Sequence, residues 1–214
     1  MYIPEQFTES NIGKLQEFIR ARCFATVVTM TSNGLNANHI PLLLNESPGP
    51  YGSLQGHIAR VNPIIDDYQP GLEALAIFNG PDCYISPNWY STKKENARVV
   101  PTWNYMVVHA YGNLRRIDNR DWLLNNITAL TECNEASLKK PWAISDAPAE
   151  FIETLLDSIV GFEMRITRLI GKYKVSQNQP IQNQASVAAE LRQNGLPAMV
   201  EMARLIENQA LKSG

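Results

Sequence analysis

The sequence predicts an α+β fold in which a closed or nearly closed antiparallel β-barrel is flanked by helices. Short β-branched segments recur between residues 24 and 117, and Gly, Pro and Asn turn signals separate them. This spacing is typical of antiparallel barrels, whereas a parallel sheet would alternate its strands with helices. Amphipathic helical patterns precede, interrupt and follow the β-rich region, which completes the α+β assignment.

The first elements are a helix and a hairpin. The helix is predicted from four apolar residues at helical spacing, Ile12, Leu15, Phe18 and Ile19. Residues 24–30 are strand-like, and Asn33-Gly34 follow as a hairpin turn because both residue types tolerate positive φ. The return strand is predicted at residues 36–44, and the Pro/Gly cluster at residues 47–50 ends it.

Further strands and helices follow the hairpin. The same β pattern predicts four strands, at residues 53–58, 74–78, 82–85 and 100–117. The last of them bends near Gly112, since barrel strands often bend at glycine. Asp118 is the predicted N-cap of a helix that runs through Leu130. A second helix at residues 151–159 precedes a strand at residues 162–167 that has one wet face.

Two regions are predicted along the chain. Residues 1–175 form the barrel domain, with inserted helices at residues 118–159, and residues 176–214 form a C-terminal helical extension. The helical tail begins near Pro197, and its apolar residues share one face. Whether this face packs on the body or on a partner is left open.

Composition and charge are those of an ordinary globular protein. Hydrophobic residues make up 44% of the 214 residues, and the formal net charge is −2. The basic residues form only small groups, so direct, strong binding of DNA is not predicted. The three cysteines lie far apart and form no CxxC pair, so neither a disulfide framework nor a metal site is predicted. No signal peptide or membrane-spanning run is visible, and we predict a cytoplasmic protein.

No hydrolytic or nucleotide-loop motif is present, and no catalytic residue is predicted. The three histidines, His39, His57 and His109, each lie in a predicted strand outside any ligand spacing. A strand histidine is more often a hydrogen-bonded structural residue than a ligand. The sequence has neither GxGxxG nor GxxxxGK(S/T), which argues against a Rossmann site and a P-loop.

Three clusters in the β-rich region carry the polar and aromatic residues of a candidate ligand site. The first is Asn38-His39-Ile40-Pro41, where proline frees a neighbouring carbonyl from the strand ladder. The second, residues 56–63, is a strand end predicted to turn into a short helix, and Arg60 there can grip a phosphate. The third combines residues 84–90 with residues 100–105, whose aromatics are suited to wall a flat ring. Core or interface packing is the alternative for each single aromatic residue.

The chain resembles the PaiB family along residues 1 to about 192. The resemblance rests on Met1-Tyr2-Ile3-Pro4, on the run from Gly56 to Pro63, and on Val100-Pro101-Thr102-Trp103-Asn104-Tyr105 followed by Val108-His109-Ala110-Tyr111-Gly112. It implies a split-barrel FMN-binding fold, similar to pyridoxamine phosphate oxidases. It also implies a homodimer with FMN at the subunit interface and a role as a negative transcriptional regulator.

The resemblance assigns FMN contacts to the three clusters. Arg60, with His57 and the Ala59 backbone, is expected to hold the phosphate, and the first cluster is expected to lie along the ribityl chain or the ring. Trp103 and Asn104 are expected to approach the flavin, and Trp89 and Tyr90 to close the pocket. The complete set of expected FMN-binding residues is Asn38, His39, Ile40, Pro41, His57, Ala59, Arg60, Tyr84, Ser86, Trp89, Tyr90, Thr102, Trp103 and Asn104.

The chain departs from the family pattern at three places. Asn134 stands where the family commonly has histidine, Gln179 where it has arginine, and Asn183-Gln184 where it has Asp-Arg. The lost basic residues weaken an assignment of phosphate or nucleic-acid binding to the C-terminal region. Two alternatives stay open beside the regulatory module: an FMN-dependent oxidoreductase, in which His109 or Arg98 would orient a substrate, and a haem-binding protein that uses one of the three histidines.

Overall fold

An antiparallel β-sheet with flanking helices forms the fold, as the sequence predicts. The computed structural model describes residues 1–64, 68–69 and 71–213. The chain divides into two units, which we describe separately. The terminal unit comprises Met1–Asn11, Asn79–Val108 and Ile170–Gly214, and the central unit comprises Ile12–Phe78 and His109–Leu169.

The helices and strands alternate irregularly along the chain. The strands are β1 (Thr8–Glu9), β2 (Phe24–Thr31), β3 (Gly34–Pro41), β4 (Leu43–Asn45), β5 (Ser53–Ala59), β6 (Ala74–Ile85), β7 (Thr102–Ile117) and β8 (Ile159–Lys174). The helices are α1 (Ile12–Ala21), α2 (Lys93–Asn96), α3 (Arg120–Glu135), α4 (Ala149–Asp157), α5 (Ile181–Asn194) and α6 (Pro197–Ser213). Among the described residues the sheet has the order β3-β2-β6-β7-β8-β5-β4, and β1 pairs with β8. No helix in the described ranges is long and apolar enough to cross a membrane.

The β2–β3 hairpin of the central unit confirms the predicted hairpin but not its turn residues. Thr31 pairs with Gly34, so the two residues of the turn are Ser32 and Asn33 rather than Asn33 and Gly34. The positive φ of the turn lies at Gly34, at 102°. A turn followed by a glycine in the left-handed region is a common hairpin connection.

The predicted return strand is divided in two. Pro41 ends β3, and the Leu42 N–H donates to the Cys23 carbonyl at 2.8 Å before β4 begins at Leu43. Because proline supplies no N–H, the ladder is interrupted at this position. β4 then pairs with β5, which pairs in turn with β8.

Two predicted strands are a single one, β6. The prediction of a break between residues 78 and 82 is wrong, since β6 runs unbroken through Gly80 and Pro81. The described ladder of β2 on β6 ends at Ile77, so the missing N–H of Pro81 removes no hydrogen bond from it.

The boundaries of the central helices also differ from the prediction. The N-cap of α3 is Asn119, whose side chain accepts from the Trp122 N–H at 2.8 Å, rather than Asp118. α4 ends at Asp157, and Ile159 is the first residue of β8 rather than the end of the helix. Residues 60–64 form turns instead of the predicted short helix, so the expected helix N-terminus beside Arg60 is missing from this described segment.

The tail of the terminal unit contains two packed helices. α5 packs on α6, and Val187, Leu191 and Ile206 are buried. The predicted helix from Pro197 is therefore confirmed as α6. The boundary predicted at residue 176 stays a prediction.

Candidate functional site

The expected FMN-binding residues fall into one group in each unit. The central group is Asn38, His39, Ile40, Pro41, His57, Ala59 and Arg60, and the terminal group is Tyr84, Ser86, Trp89, Tyr90, Thr102, Trp103 and Asn104. Each group is described within its own unit.

The polar residues of the first cluster, Asn38 and His39, are consecutive in β3, so their side chains lie on opposite faces of the strand. The Asn38 side chain accepts from Asn62 Nδ2 at 2.9 Å, and His39 Nδ1 lies 3.1 Å from Thr26 Oγ1. The His39 ring also lies 6.2 Å from the ring of Phe24. Ile40 lies on the same face as Asn38 and is buried in the core, so only its backbone is available to a cofactor.

His57 and Pro41 line a cavity in the central unit. The cavity has a volume of about 410 Å³, and other residues on its wall include Leu130, Asn134, Glu135 and Trp142. His57 Nδ1 lies 3.1 Å from Asn126 Oδ1, while Asn126 Nδ2 is buried without a partner among the described residues. His57 is therefore held by α3, which leaves the rest of its ring to face a ligand.

Gly56 packs against the core beneath β5. A Cβ at Gly56 would lie 2.7 Å from Leu42 Cδ2 and 3.3 Å from Phe162 Cζ. The glycine therefore makes room for core side chains. Ala59, the last residue of β5, is exposed, as its expected backbone role requires.

Arg60 connects β5 to the junction between α4 and β8. Its guanidinium donates to the Asp157 carbonyl at 2.9 Å, to the Ile159 carbonyl at 2.7 Å and to Asp118 Oδ1 at 3.2 Å. These contacts use three of the five N–H groups of a guanidinium, and the described residues leave two for another acceptor. Arg60 is thus a positioning residue of this junction, and its binding of a phosphate stays a prediction.

Burial affects the third histidine, His109. Desolvation lowers the pKa of His109, and its Nδ1 has no partner among the described residues. The ring lies 6.2 Å from the ring of Tyr111. A neutral imidazole is the form that this environment favours.

Tyr84 and Trp103 form an exposed aromatic pair in the terminal unit. Their ring centroids lie 6.1 Å apart in an edge-to-face arrangement, and 44% of Tyr84 and 50% of Trp103 is accessible to solvent. Trp103 Nε1 donates to Asp82 Oδ1 at 3.0 Å, which fixes the indole. Large rings that stay exposed on a folded unit are typical of a surface that contacts a ligand or a partner. Ser86 caps the short helical turn that carries Trp89.

Tyr90, Thr102 and Asn104 line a second cavity, of about 290 Å³, in the same unit. Lys174, Ser176 and Arg98 also lie on its wall. Asn104 is fully buried; its Nδ2 donates to Ser176 Oγ at 2.8 Å, and its Oδ1 has no described partner. Lys174 Nζ donates to Thr102 Oγ1 at 2.5 Å. Burial raises the pKa of Tyr90 and lowers the pKa of Lys174.

Sequence reasoning missed Asn126, Lys174 and Ser176. Asn126 is on a helix face, and Lys174 is one of several scattered lysines, so no local motif marks either residue. Two departures from the family pattern were usable signals, because Gln179 lies on the wall of the terminal cavity and Asn134 on that of the central cavity.

Comparison with known proteins gives one family and several relatives. The family model described as "Putative FMN-binding domain" matches residues 1–168. Protease synthase and sporulation protein PAI 2 of Bacillus subtilis is 33% identical over 212 residues, and the alignment covers 99% of each chain.

Solved structures share the fold at low sequence identity. A conserved hypothetical protein of Mycobacterium tuberculosis superposes with a TM-score of 0.59 at 9% identity, covering 84% of this chain and 94% of its own. The FAD and heme binding protein of Mycobacterium smegmatis superposes with a TM-score of 0.54 at 13% identity, covering 78% of this chain and 73% of its own. These similarities establish the fold, and they confirm the predicted split barrel.

Proposed function

The chain belongs to the FMN-binding domain family, whose cofactor is FMN, and from this membership we propose that it is a regulatory flavoprotein of the PaiB type. We further propose that it acts in the cytoplasm as a homodimer with FMN at the subunit interface. The observation that carries the proposal is the family match over residues 1–168. It is supported by the 33% identity over nearly the whole length to a relative named for protease synthesis and sporulation.

The terminal group has the chemistry that an isoalloxazine ring requires. The half-exposed Tyr84–Trp103 pair offers aromatic surface, and the unpartnered Asn104 Oδ1 can accept from an N–H of the ring edge. When bound, FMN supplies electron-transfer and hydride-transfer chemistry, while the protein binds and orients it. We propose that Tyr84, Trp103 and Asn104 provide ring contacts.

The central group has donors suited to the polar end of the cofactor. Arg60 keeps two N–H groups after its contacts with the protein, and the His57 ring lines a cavity. We propose that Arg60 contacts the phosphate, with Asn38 and His57 as neighbouring polar contacts. Asp118 forms ion pairs with both Arg60 and Arg116, so its carboxylate reduces the net positive charge at this end of β5.

The proposed regulation does not use strong, direct binding of DNA. The net charge is −2, and several surface arginines already pair with carboxylates, among them Arg120 with Glu153 and Arg192 with Glu207. A duplex-binding face needs clustered, unneutralised cations. We propose that the protein acts through a protein partner or by sensing flavin.

Anaerobic stopped-flow mixing with NADH or NADPH separates a regulatory module from an oxidoreductase. For the FMN-loaded protein we expect the flavin absorption to persist after mixing. Rapid bleaching of the flavin would instead assign the protein to the oxidoreductases. Light scattering on the same sample tests the dimer, which has twice the 24.0 kDa mass of the chain.

A further inference from the structure

The cavity of the terminal unit contains a half-buried ammonium, Lys174, which has no carboxylate partner in the part of the chain that the structure describes. Lys174 Nζ contacts Thr102 Oγ1 at 2.5 Å and lies 6.0 Å from the centre of the Phe7 ring. None of the described residues on the cavity wall is acidic. A charge in such surroundings is costly unless an opposite charge accompanies it, because desolvation disfavours the ionised form.

A second cationic residue and two hydroxyl donors lie on the wall of the same cavity. Arg98, an exposed residue, also lies on the wall, within reach of an anion that enters the cavity. Thr102 Oγ1 accepts from Lys174 and Ser176 Oγ accepts from Asn104, so the hydroxyl hydrogen of each remains available. Donors of this number around one cavity suit an oxygen-rich anion.

The backbone at Ser176, on the cavity wall, has an unusual conformation. Ser176 has a φ of 63°, in the left-handed region that non-glycine residues seldom adopt. Gln177 stabilises the bend, since its side chain accepts from the Val175 N–H at 2.7 Å and donates to the Gln6 carbonyl at 3.0 Å. Strained residues that the surroundings hold in place often lie at ligand sites.

We propose that the cavity of the terminal unit binds an oxyanion, a phosphate or carboxylate group, through Lys174 and Arg98. Thr102 and Ser176 donate the neutral hydrogen bonds. The desolvation that lowers the pKa of Lys174 acts in the absence of the anion, and a bound anion would restore the charged form. The site does not depend on the proposed regulatory function. A free small anion is compatible with Arg60 as the phosphate contact of FMN, whereas the cofactor's own phosphate in this cavity would replace Arg60 in that role and remove Asn104 from the ring contacts.

The first test uses flavin-free protein and measures the thermal unfolding temperature with inorganic phosphate or acetate, against sodium chloride at equal ionic strength. Specific binding raises the unfolding temperature. We expect Lys174→Met to weaken the binding of whichever anion, phosphate or acetate, stabilises the wild-type protein. The expected loss of affinity is about tenfold or more, because the variant lacks a charge-assisted contact. Lys94→Met removes the same charge from an exposed position outside the cavity wall and should behave as wild type.

A gain-of-affinity variant keeps the test decisive if Lys174→Met does not fold. Gln179 lies on the cavity wall, so Gln179→Arg adds a third cation and should tighten anion binding. The source of the anion follows from titrations with FMN and riboflavin. Selective weakening of FMN binding by Lys174→Met identifies the cofactor phosphate, whereas loss of phosphate or acetate binding with unchanged FMN binding identifies a free anion.

Two results together would overturn the proposal. In the first, neither phosphate nor acetate raises the unfolding temperature of the wild-type protein above its value in sodium chloride. In the second, Lys174→Met binds FMN with the wild-type affinity. Lys174→Met with wild-type affinity for every anion would also overturn it. Failure of the wild-type protein to bind FMN would count against the proposed function alone, because the phosphate and acetate measurements do not require flavin.

Discussion

Replacing Gly112 by alanine is expected to lower the free energy of unfolding by about 3 kcal/mol, the upper part of the usual range for overpacking. A Cβ on Gly112 would lie 2.1 Å from the Arg165 carbonyl oxygen and 2.9 Å from its carbonyl carbon. Both obstacles are backbone atoms of β8, which no rotamer change can move. The glycine thus allows a close approach of β7 and β8 within the central unit, and urea-induced unfolding measures its effect.

Gly195→Ala is the matched control for this substitution. Gly195 follows α5 with a φ of 74°, and a Cβ there would meet nothing within 4 Å. Gly195→Ala should therefore lower the free energy of unfolding only by the cost of holding alanine in a left-handed backbone conformation, about 1 kcal/mol. A Gly112→Ala variant as stable as Gly195→Ala would contradict the close approach of the two strands.

Arg60→Ala is expected to weaken FMN binding by about 1.5–3 kcal/mol, the contribution of a hydrogen bond to a charged group. Riboflavin has no phosphate, so its affinity should stay at the wild-type value. Fluorescence-quenching titrations of the two flavins measure this difference directly. Two N–H groups of the Arg60 guanidinium have no partner among the described residues, and these are the donors proposed to reach the phosphate.

Arg116→Ala is the control for the loss of charge at this site. Arg116 contacts the same Asp118 carboxylate, at 2.8 Å and 3.1 Å, and is not an expected FMN-binding residue. Equal losses of FMN and riboflavin affinity in Arg60→Ala would assign Arg60 to positioning the α4–β8 junction. Unchanged FMN affinity would refute the phosphate assignment.

The sequence was most informative where the chain has a simple local pattern. Apolar spacing located α1, and the β-branched pattern located β2 and β5 of the central unit. Among the predicted element boundaries, two were wrong for identifiable reasons. One failed because two neighbouring residues are equally good N-caps, and the other because a strand continues through a proline that usually ends one. Asp118 and Asn119 are both good N-caps, and only tertiary packing selects Asn119. Pro81 signals a break, but β6 also pairs with β7 in the sheet and continues past Pro81, beyond its described ladder with β2.

The candidate site was predictable as a set of segments but not as a set of contacts. Thr102 and Asn104 were chosen for their polar groups, yet their partners, Lys174 and Ser176, lie about seventy residues later in the chain. His57 was chosen as a neighbour of Arg60, and its partner Asn126 is one of many polar residues on a helix. Contacts over such separations leave no periodic signal in a single sequence.

Titration of the purified, flavin-free protein with FMN tests the central claim most directly. FMN fluorescence and absorption report binding, and gel filtration shows whether the flavin stays with the protein. We predict saturable quenching at one FMN per chain, altered flavin absorption bands, and co-elution of flavin and protein. Unquenched fluorescence throughout the titration, with free FMN separating from a colourless protein, would contradict the assignment of FMN as the cofactor.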